Sequence, residues 1–509
     1  MAGEAPYDTA STSRPCAPPI RVLPPELLAE IFEHCTSDSY SAISLSHVST
    51  LWRRTAVTTP RLWHSLSVAL PTSSPRTTSA KVRTVLARSG AFPIHVILTL
   101  RSWSEDDIPT LALLIHLRNH SGHWARLTLT AASCSITRSL FAFFAERPDM
   151  RALTRVDLTA GPSFDDAEDD FPFVLPQENE DPRSDMTAVL AGLASTQAPR
   201  LTELNLATSA LPYPFWPTPT PLLHLHTLRI FDRNGHLGEI AAPSLLHLLA
   251  KCPLLERLLF RGSSSFDPHA PPFGPPVSLP YLQELHLAQT FHQRIILAHL
   301  HTPALHTLRL AWLNRPEVLI DESYAPDPAE KNEEPTEYSQ SPYTDLLTGA
   351  GVRALVRASN PPLRVLDMDF ADARSPRDFV WLFGRLPTLE EFKIVGSDMS
   401  DRVLDALAGR GEDGTWLCPR LVSLDFSRCD VITGKGVVEL AKARNPPLDV
   451  GIDNAGAPAR LTRFNVEACA RVDCEAVAVK QYILGDVSFE VEVVPSLLIY
   501  PEEGVSMPT

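Results

Sequence analysis

The sequence predicts an α/β protein: a short N-terminal group of three helices, then a solenoid whose parallel sheet lines its inner, concave face. Three observations carry this. A frame Leu-x-x-Leu-x-Leu recurs from Trp124 onward, a proline stands ahead of most copies, and amphipathic stretches such as "DRVLDALAG" and "GKGVVELAKA" fill the intervals. At 509 residues the chain exceeds the length at which one compact core stops growing, so several units or an elongated array are expected.

The better copies of the frame are "PRLTELNL" (199–206), "PLLERLLF" (253–260), "PYLQELHL" (280–287), "PALHTLRL" (303–310), "PPLRVLDM" (361–368), "PTLEEFKI" (387–394), "PRLVSLDF" (419–426) and "ARLTRFNV" (459–466). With the first apolar residue as position zero, the copies start at Trp124, Leu153, Leu201, Leu225, Leu255, Leu282, Leu305, Leu363, Leu389, Leu421 and Leu461. Positions 3 and 5 alternate as a strand requires and point inward, while positions 2, 4 and 6 point outward. Proline two residues before position zero has no amide donor and disfavours helix in its predecessor, so it is expected to end each helix before the next strand. Strand, turn and helix repeated at 23 to 32 residues describe a solenoid with a parallel sheet.

This pattern resembles the leucine-rich repeat family, and "CPRLVSLDFSRCDVITGKGVVELAK" (418–442) is similar to its cysteine-containing subtype. The resemblance implies a small polar residue at position eight, bonding backbone in the turn that leaves the strand. Ser209, Ser263, Thr290, Ser397, Cys429 and Cys469 stand there, whereas Arg233 and Leu313 depart from the pattern.

Near the start, "LPPELLAEIF" places Leu27, Leu28, Ile31 and Phe32 on one helical stripe. Pro24 and Pro25 suit a first helical turn, and Glu26 suits its positive end. Further helices are expected over "SAISLSHVS" and from "STLWRRTAV". Three short helices in so few residues cannot cover all these apolar side chains, so part of the stripe should meet another protein. The order Leu23-Pro24-x-Glu26-Leu27-Leu28-x-x-Ile31-Phe32, then Val48-Ser49-x-x-Trp52-Arg53, then Leu62-Trp63, resembles the F-box, over about residues 20–68. "RSGAFPIHVILTL" (88–100) is similar to a linker that follows the box in fungal members. The resemblance implies docking onto a Skp-type adaptor and, through it, a cullin–RING ubiquitin ligase. It makes Pro24, Leu27, Leu28, Ile31, Phe32, Val48 and Trp52 the adaptor contacts, with Trp63 packing the box itself.

The expected organisation is a disordered segment 1–19, the F-box at 20–68, a linker or first irregular repeat at 69–120, the solenoid at 121–480 and a C-terminal cap or tail at 481–509. Residues 161–182 hold eight carboxylates and no base, and residues 316–340 hold eight carboxylates and one lysine. These two stretches account for the whole formal charge of −15 and read as solvated acidic inserts. No basic surplus remains elsewhere to attract phosphates, which argues against nucleic acid as a partner. Eight scattered cysteines form no CxxC pair, and no apolar run reaches a membrane span. No membrane partner is therefore expected, and a reducing cytosol or nucleus is the expected compartment.

No phosphate-loop, dinucleotide, nucleophile-elbow or zinc-protease motif occurs. "TGKGVV" (433–438) lacks the first glycine of a phosphate loop and fits a repeat turn. His224, His226, His286 and His306 fall between apolar frame positions, outward on separate strands, and read as solvated rather than metal-ligating. No catalytic site, metal or cofactor is expected. Outward positions offer Arg229, Arg257, Arg261, His286 and Arg309 in the middle copies, then Asp367, Asp369 and Asp425 with Lys393 between. A target with an acidic or phosphorylated segment would suit the arginines; ordinary solvation, or pairing with the chain's own acidic inserts, is the plain alternative. The expectation is a non-catalytic substrate receptor of a ubiquitin ligase that holds an unidentified protein target. The rival expectation is an interaction scaffold with no part in ubiquitin transfer.

Overall fold

Most frame copies begin with a hydrogen-bonded turn, and this turn explains the prolines. The backbone N–H at position zero donates to the carbonyl three residues earlier in Leu153, Leu201, Leu225, Leu255, Leu282, Leu305, Leu389 and Leu421. Pro199, Pro253, Pro280, Pro303, Pro387 and Pro419 therefore occupy the second position of a four-residue turn, where a fixed φ is pre-organised. Leu363 differs, since its N–H donates to Pro361 O. All eleven position-zero side chains are at most 3% exposed.

The computed structural model describes residues 23–473, apart from 146–149, 161–197, 208–220, 232–239, 263–273, 312–347, 370–375 and 446–457 and several breaks of one to four residues. Both acidic inserts, the segment 1–19 and the tail 481–509 thus lie outside the described residues, as do Ser209, Ser263, Thr290, Arg233 and Leu313. The chain divides into two compact units, Met1–Leu129 and Thr130–Thr509.

In the first unit, helices α1 (Pro25–Cys35), α2 (Ser39–Ser46) and α3 (Thr50–Thr58) precede a 3₁₀ turn, Pro60–Trp63. Then come β1 (Ser65–Leu70), α4 (Pro75–Ser89), β2 (Ile94–Leu100), α5 (Ile108–Arg118) and β3 (Trp124–Ala131), whose last residues belong to the second unit. β1 and β2 pair in parallel, Leu66 opposite Val96. Strand and helix already alternate from Ser65, ahead of residue 121 where the sequence placed the first clear repeat. The proline-led frame is missing here, but "IHVILTL" of β2 buries every second residue, as a strand with one covered face must.

The second unit repeats the same step. Its helices and strands are α6 (Cys134–Ala145), β4 (Arg155–Ala160), β5 (Glu203–Ala207), β6 (Thr227–Phe231), α7 (Ala242–Leu249), β7 (Arg257–Arg261), β8 (Val277–Ser278), β9 (Glu284–Ala288), α8 (Gln293–Ala298), β10 (Leu300–His301) and β11 (Thr307–Ala311). α9 (Thr348–Ser359), β12 (Val365–Asp369), α10 (Pro376–Arg385), β13 (Glu391–Val395), α11 (Asp401–Ala408), β14 (Ser423–Ser427), α12 (Gly434–Arg444), β15 (Arg463–Glu467) and α13 (Ala470–Asp473) complete it. Strands β4, β5, β6, β7, β9, β11, β12, β13, β14 and β15 follow one another in chain order across one sheet, and β8 pairs with β10 separately. The pairing is parallel, and the arrangement is consistent with a solenoid-like fold.

The core lies between one sheet face and the helices. Positions 3 and 5, such as Leu204 and Leu206 or Leu424 and Phe426, are fully buried. Phe379 and Phe383 of α10 lie 6.2 Å and 5.0 Å from Phe392 of β13, and the aromatic contacts continue along the sheet through Phe426 to Phe464. Arg444 is buried with them. Its guanidinium donates to Leu407 O (2.8 Å), Cys418 O (3.1 Å) and Leu417 O (2.5 Å), so the charge is desolvated but its donors are used.

Leaving each of the last three strands, position seven adopts left-handed backbone: Gly396 (φ 68°), Arg428 (φ 53°) and Ala468 (φ 51°). The next residues carry the role expected at position eight. Ser397 Oγ accepts from Met399 N at 3.0 Å, and Cys469 Sγ accepts from Cys429 N at 3.3 Å. "TGKG" serves a turn as well. Thr433 caps α12 by accepting from Gly436 N, while Asp401 of the previous repeat accepts from Thr433 N (2.8 Å) and Thr433 Oγ1 (2.7 Å). A Cβ on Gly436 would stand 2.5 Å from Asp401 Oδ1, which is why glycine is needed there.

Candidate partner-binding surfaces

Two surfaces follow from the sequence, one in each unit. In the first, Pro25 opens α1, and Leu28 N donates to Pro24 O to close the first turn. α1 then splits its apolar stripe. Leu28 and Phe32 are 0% and 1% exposed, whereas Leu27 and Ile31 are 48% and 40% exposed, one helical turn apart. Ser46 Oγ donates to Ile43 O at the end of α2, and Val48, in the turn before α3, is 61% exposed. Ser49 caps α3 by accepting from Trp52 N (3.2 Å), and Arg53 Nε donates to Ser46 O (3.0 Å). These two bonds give the Val-Ser-x-x-Trp-Arg spacing its local meaning: a capped helix whose arginine ties it to its predecessor.

Trp52 is half-buried against Phe32, with ring centroids 4.8 Å apart. Trp63 is fully buried, donates Nε1 to Ala56 O at 2.8 Å and lies under the Arg88 guanidinium. Of the seven residues expected to contact an adaptor, Leu28 and Phe32 are buried within the first unit. They form the chain's own core, because a helix of this length needs an inward apolar face as well as an outward one. Pro24, Leu27, Ile31 and Val48 are exposed, and Trp52 is partly so.

In the second unit, the strand register brings the expected outward residues into one line. Arg229 pairs with Leu259, Leu259 with His286, His286 with Arg309, and Arg309 with Asp367. Asp367 pairs with Lys393, and Lys393 with Asp425. Arg257 and Arg261 flank Leu259 on β7, and Asp369 flanks Asp367 on β12, all by a spacing of two that keeps them on the same face. Arg257, Arg261 and Arg309 are exposed, while His286 and Asp367 are partly buried.

The members of this line are not equally available. Arg229 Nη1 donates to Glu203 at 3.2 Å, and the same carboxylate holds Arg155 at 3.0 Å, so Arg229 belongs to a local ion cluster. Arg257 and Arg309 make no ion pair among the described residues. Burial holds the His286 proton affinity below the ordinary imidazole value, and the neighbouring Arg309 and Arg261 lower it further. For Asp367 burial raises the carboxyl pKa; Lys393 and Arg309 oppose this, and Asp369 and Asp425 reinforce it. Asp367 Oδ1 is buried and has no hydrogen-bond partner. Of the other histidines, His226 Nδ1 pairs with Glu256 at 2.9 Å. Among the described residues no three His, Cys, Asp or Glu side chains converge as metal ligands, and no helix is long and apolar enough to cross a membrane.

Sequence reading missed the capture of Arg229 by Glu203, a carboxylate that Arg155 shares. The signal was present: Glu203 and Arg155 both occupy outward position two on neighbouring strands.

Comparison with known families matches residues 20–69 to the F-box-like family, so the α1–α3 segment is an F-box-like domain. No curated protein sequence matches the chain. Among solved structures, a chain in the crystal structure of the Rad7 and Elc1 complex in yeast aligns with a TM-score of 0.35 and 14% identity, over 81% of this chain and 90% of that one.

Proposed function

We propose that this chain is the substrate-recognition subunit of an SCF-type cullin–RING ubiquitin ligase. Its F-box-like domain docks a Skp-type adaptor, and leucine-rich repeats in the second unit bind the target protein. The observation that carries the reading is the split burial of α1 within the family match: Leu28 and Phe32 hold the helices together, and Leu27 and Ile31 are left for a partner. An apolar helical face open to water is the kind of surface an obligate partner covers.

The chain makes and breaks no bond in this reading. It contributes proximity, holding target lysines where a charged ubiquitin carrier reaches them. Its place of action is the cytosol or nucleus. The test is reconstitution of the full chain with a purified Skp-type adaptor, a cullin–RING core and ubiquitin. Stable co-elution with adaptor and cullin, together with accumulation of a bound target when the gene is deleted, is the expected result. Failure to bind the adaptor defeats the proposal, and adaptor binding with no stabilised target identifies an interaction scaffold instead.

A further inference from the structure

The open sheet face changes sign along the direction in which strands succeed one another. Over β7, β9 and β11 it carries Arg257, Arg261 and Arg309 against one carboxylate, Glu284. Over β12, β13 and β14 it carries Asp367, Asp369 and Asp425 against one cation, Lys393, while Glu391 is paired with Arg463 of β15 at 3.6 Å. Arg309 and Asp367 face each other at the boundary, yet they make no ion pair within 4 Å. The two halves therefore meet without a direct ion pair, although Arg309 acts on Asp367 across the boundary.

We propose that this face binds one extended segment of the target protein, acidic where it crosses Arg257 and Arg309 and bearing a lysine or arginine where it crosses Asp367 and Asp369. This rests on the substrate-receptor reading and gives that site a ligand class. The dimensions are fixed by the sheet: the four neighbouring strands β7, β9, β11 and β12 at about 4.8 Å apart span roughly 14 Å, which about four extended residues cover. Two unmet demands lie within this span. Arg257 and Arg309 present exposed guanidiniums with no carboxylate partner among the described residues, a donor geometry that takes carboxylate or phosphate in a two-point grip. Across the boundary from Arg309, Asp367 Oδ1 lies buried with no donor among the described residues, and a buried acceptor of this kind is costly until one arrives. A cationic side chain supplies it. His286 lies between the Arg257 and Arg309 strands, where burial and the neighbouring arginines lower its proton affinity.

The experiment uses the full chain and fluorescein-labelled eight-residue peptides of equal composition. They comprise a glutamate block followed by a lysine block, the reverse order, and strict alternation; a further pair carries phosphoserine in place of glutamate. One block order is expected to bind at least tenfold tighter than alternation by fluorescence anisotropy. Arg257→Glu/Arg309→Glu is expected to remove that preference, with adaptor binding and thermal unfolding unchanged. Arg309→Gln, a milder change at an exposed position, should weaken it in part. Tighter binding of the phosphoserine peptide would assign a phosphorylated segment, and equal affinity a carboxylate-rich one. Equal binding of block and alternating peptides, or a preference that survives the double reversal, would overturn the proposal. Because adaptor binding is read separately, its loss alone would defeat the receptor reading and leave this site standing.

Discussion

Replacing Leu27, Ile31 and Val48 together by alanine separates partner binding from folding. These side chains are 48%, 40% and 61% exposed, so roughly half of each remains to be covered. Full burial of such a side chain stabilises by about 1.5–3 kcal/mol, so covering the remaining half yields about 0.7–1.5 kcal/mol each. For the triple variant this sums to about 2–4.5 kcal/mol, a roughly 30- to 2,000-fold loss of adaptor affinity. Stability should change little, because exposed positions in helices tolerate alanine. The contrast is the buried pair: Leu28→Ala should cost about 2–5 kcal/mol and Phe32→Ala about 3–5 kcal/mol of folding free energy. Phe32→Ala would also strip the Trp52 ring of its neighbour. Titration calorimetry of the full chain with a Skp-type adaptor reads the affinity, and circular dichroism on heating reads the fold. An exposed-site triple variant that binds the adaptor as the parent does, or that melts as Phe32→Ala does, would refute the division of labour on α1.

Three further outcomes follow from the second unit and the thiols. Gly436→Ala should cost about 1–3 kcal/mol in urea denaturation: the new Cβ displaces Asp401 from two charge-assisted bonds to Thr433, and the better helix propensity of alanine returns part of this. In an Asp401→Ala background the same change should cost nothing, and an undiminished cost there would show the clamp to be irrelevant. Alkylation of the native chain near pH 8 should modify Cys35, which is exposed, but spare Cys252 and Cys418, whose thiol pKa values burial pushes up to about 12; mass spectrometry assigns each site. Asp367, with its pKa raised above 3.8 in the fold, holds its proton more tightly there than when unfolded, so it destabilises the native state as pH rises through that window. Asp367→Asn should therefore melt higher than the parent near neutral pH, and the gap should close toward about pH 4. A gap independent of pH would remove the desolvated carboxylate as its cause.

Much of this was legible in the residues, and the reasons differ by element. The Leu-x-x-Leu-x-Leu frame located the strands because a strand buried on one face imposes a period of two that no other element mimics over this length. The outward line of charges followed at once, since register in a parallel array of equal strands leaves no freedom. The prolines gave the right boundary for an incomplete reason. They end helices, but their place is the second position of a turn whose hydrogen bond closes on the frame leucine. The pattern of α1 could not say which of Leu27, Leu28, Ile31 and Phe32 turn inward, because a stripe that wide fits two packing faces. Only α3 and the Pro60–Trp63 turn packed against it decide. Likewise, Glu203 capturing both Arg155 and Arg229 depends on side chains from three strands and has no signature in any one of them.

The turn at the head of each strand fixes where that strand starts without reference to what precedes it. β5, headed by the Leu201 turn, keeps the same residue-for-residue alignment with its neighbours as β6 and β7 do, although the chain runs much longer before reaching it. Sequence between repeats can therefore be lengthened, shortened or exchanged without moving the arginines or the aspartates on the sheet. A foreign segment grafted after Ala311 should therefore leave the strand register, and the line of charges it sets, unchanged.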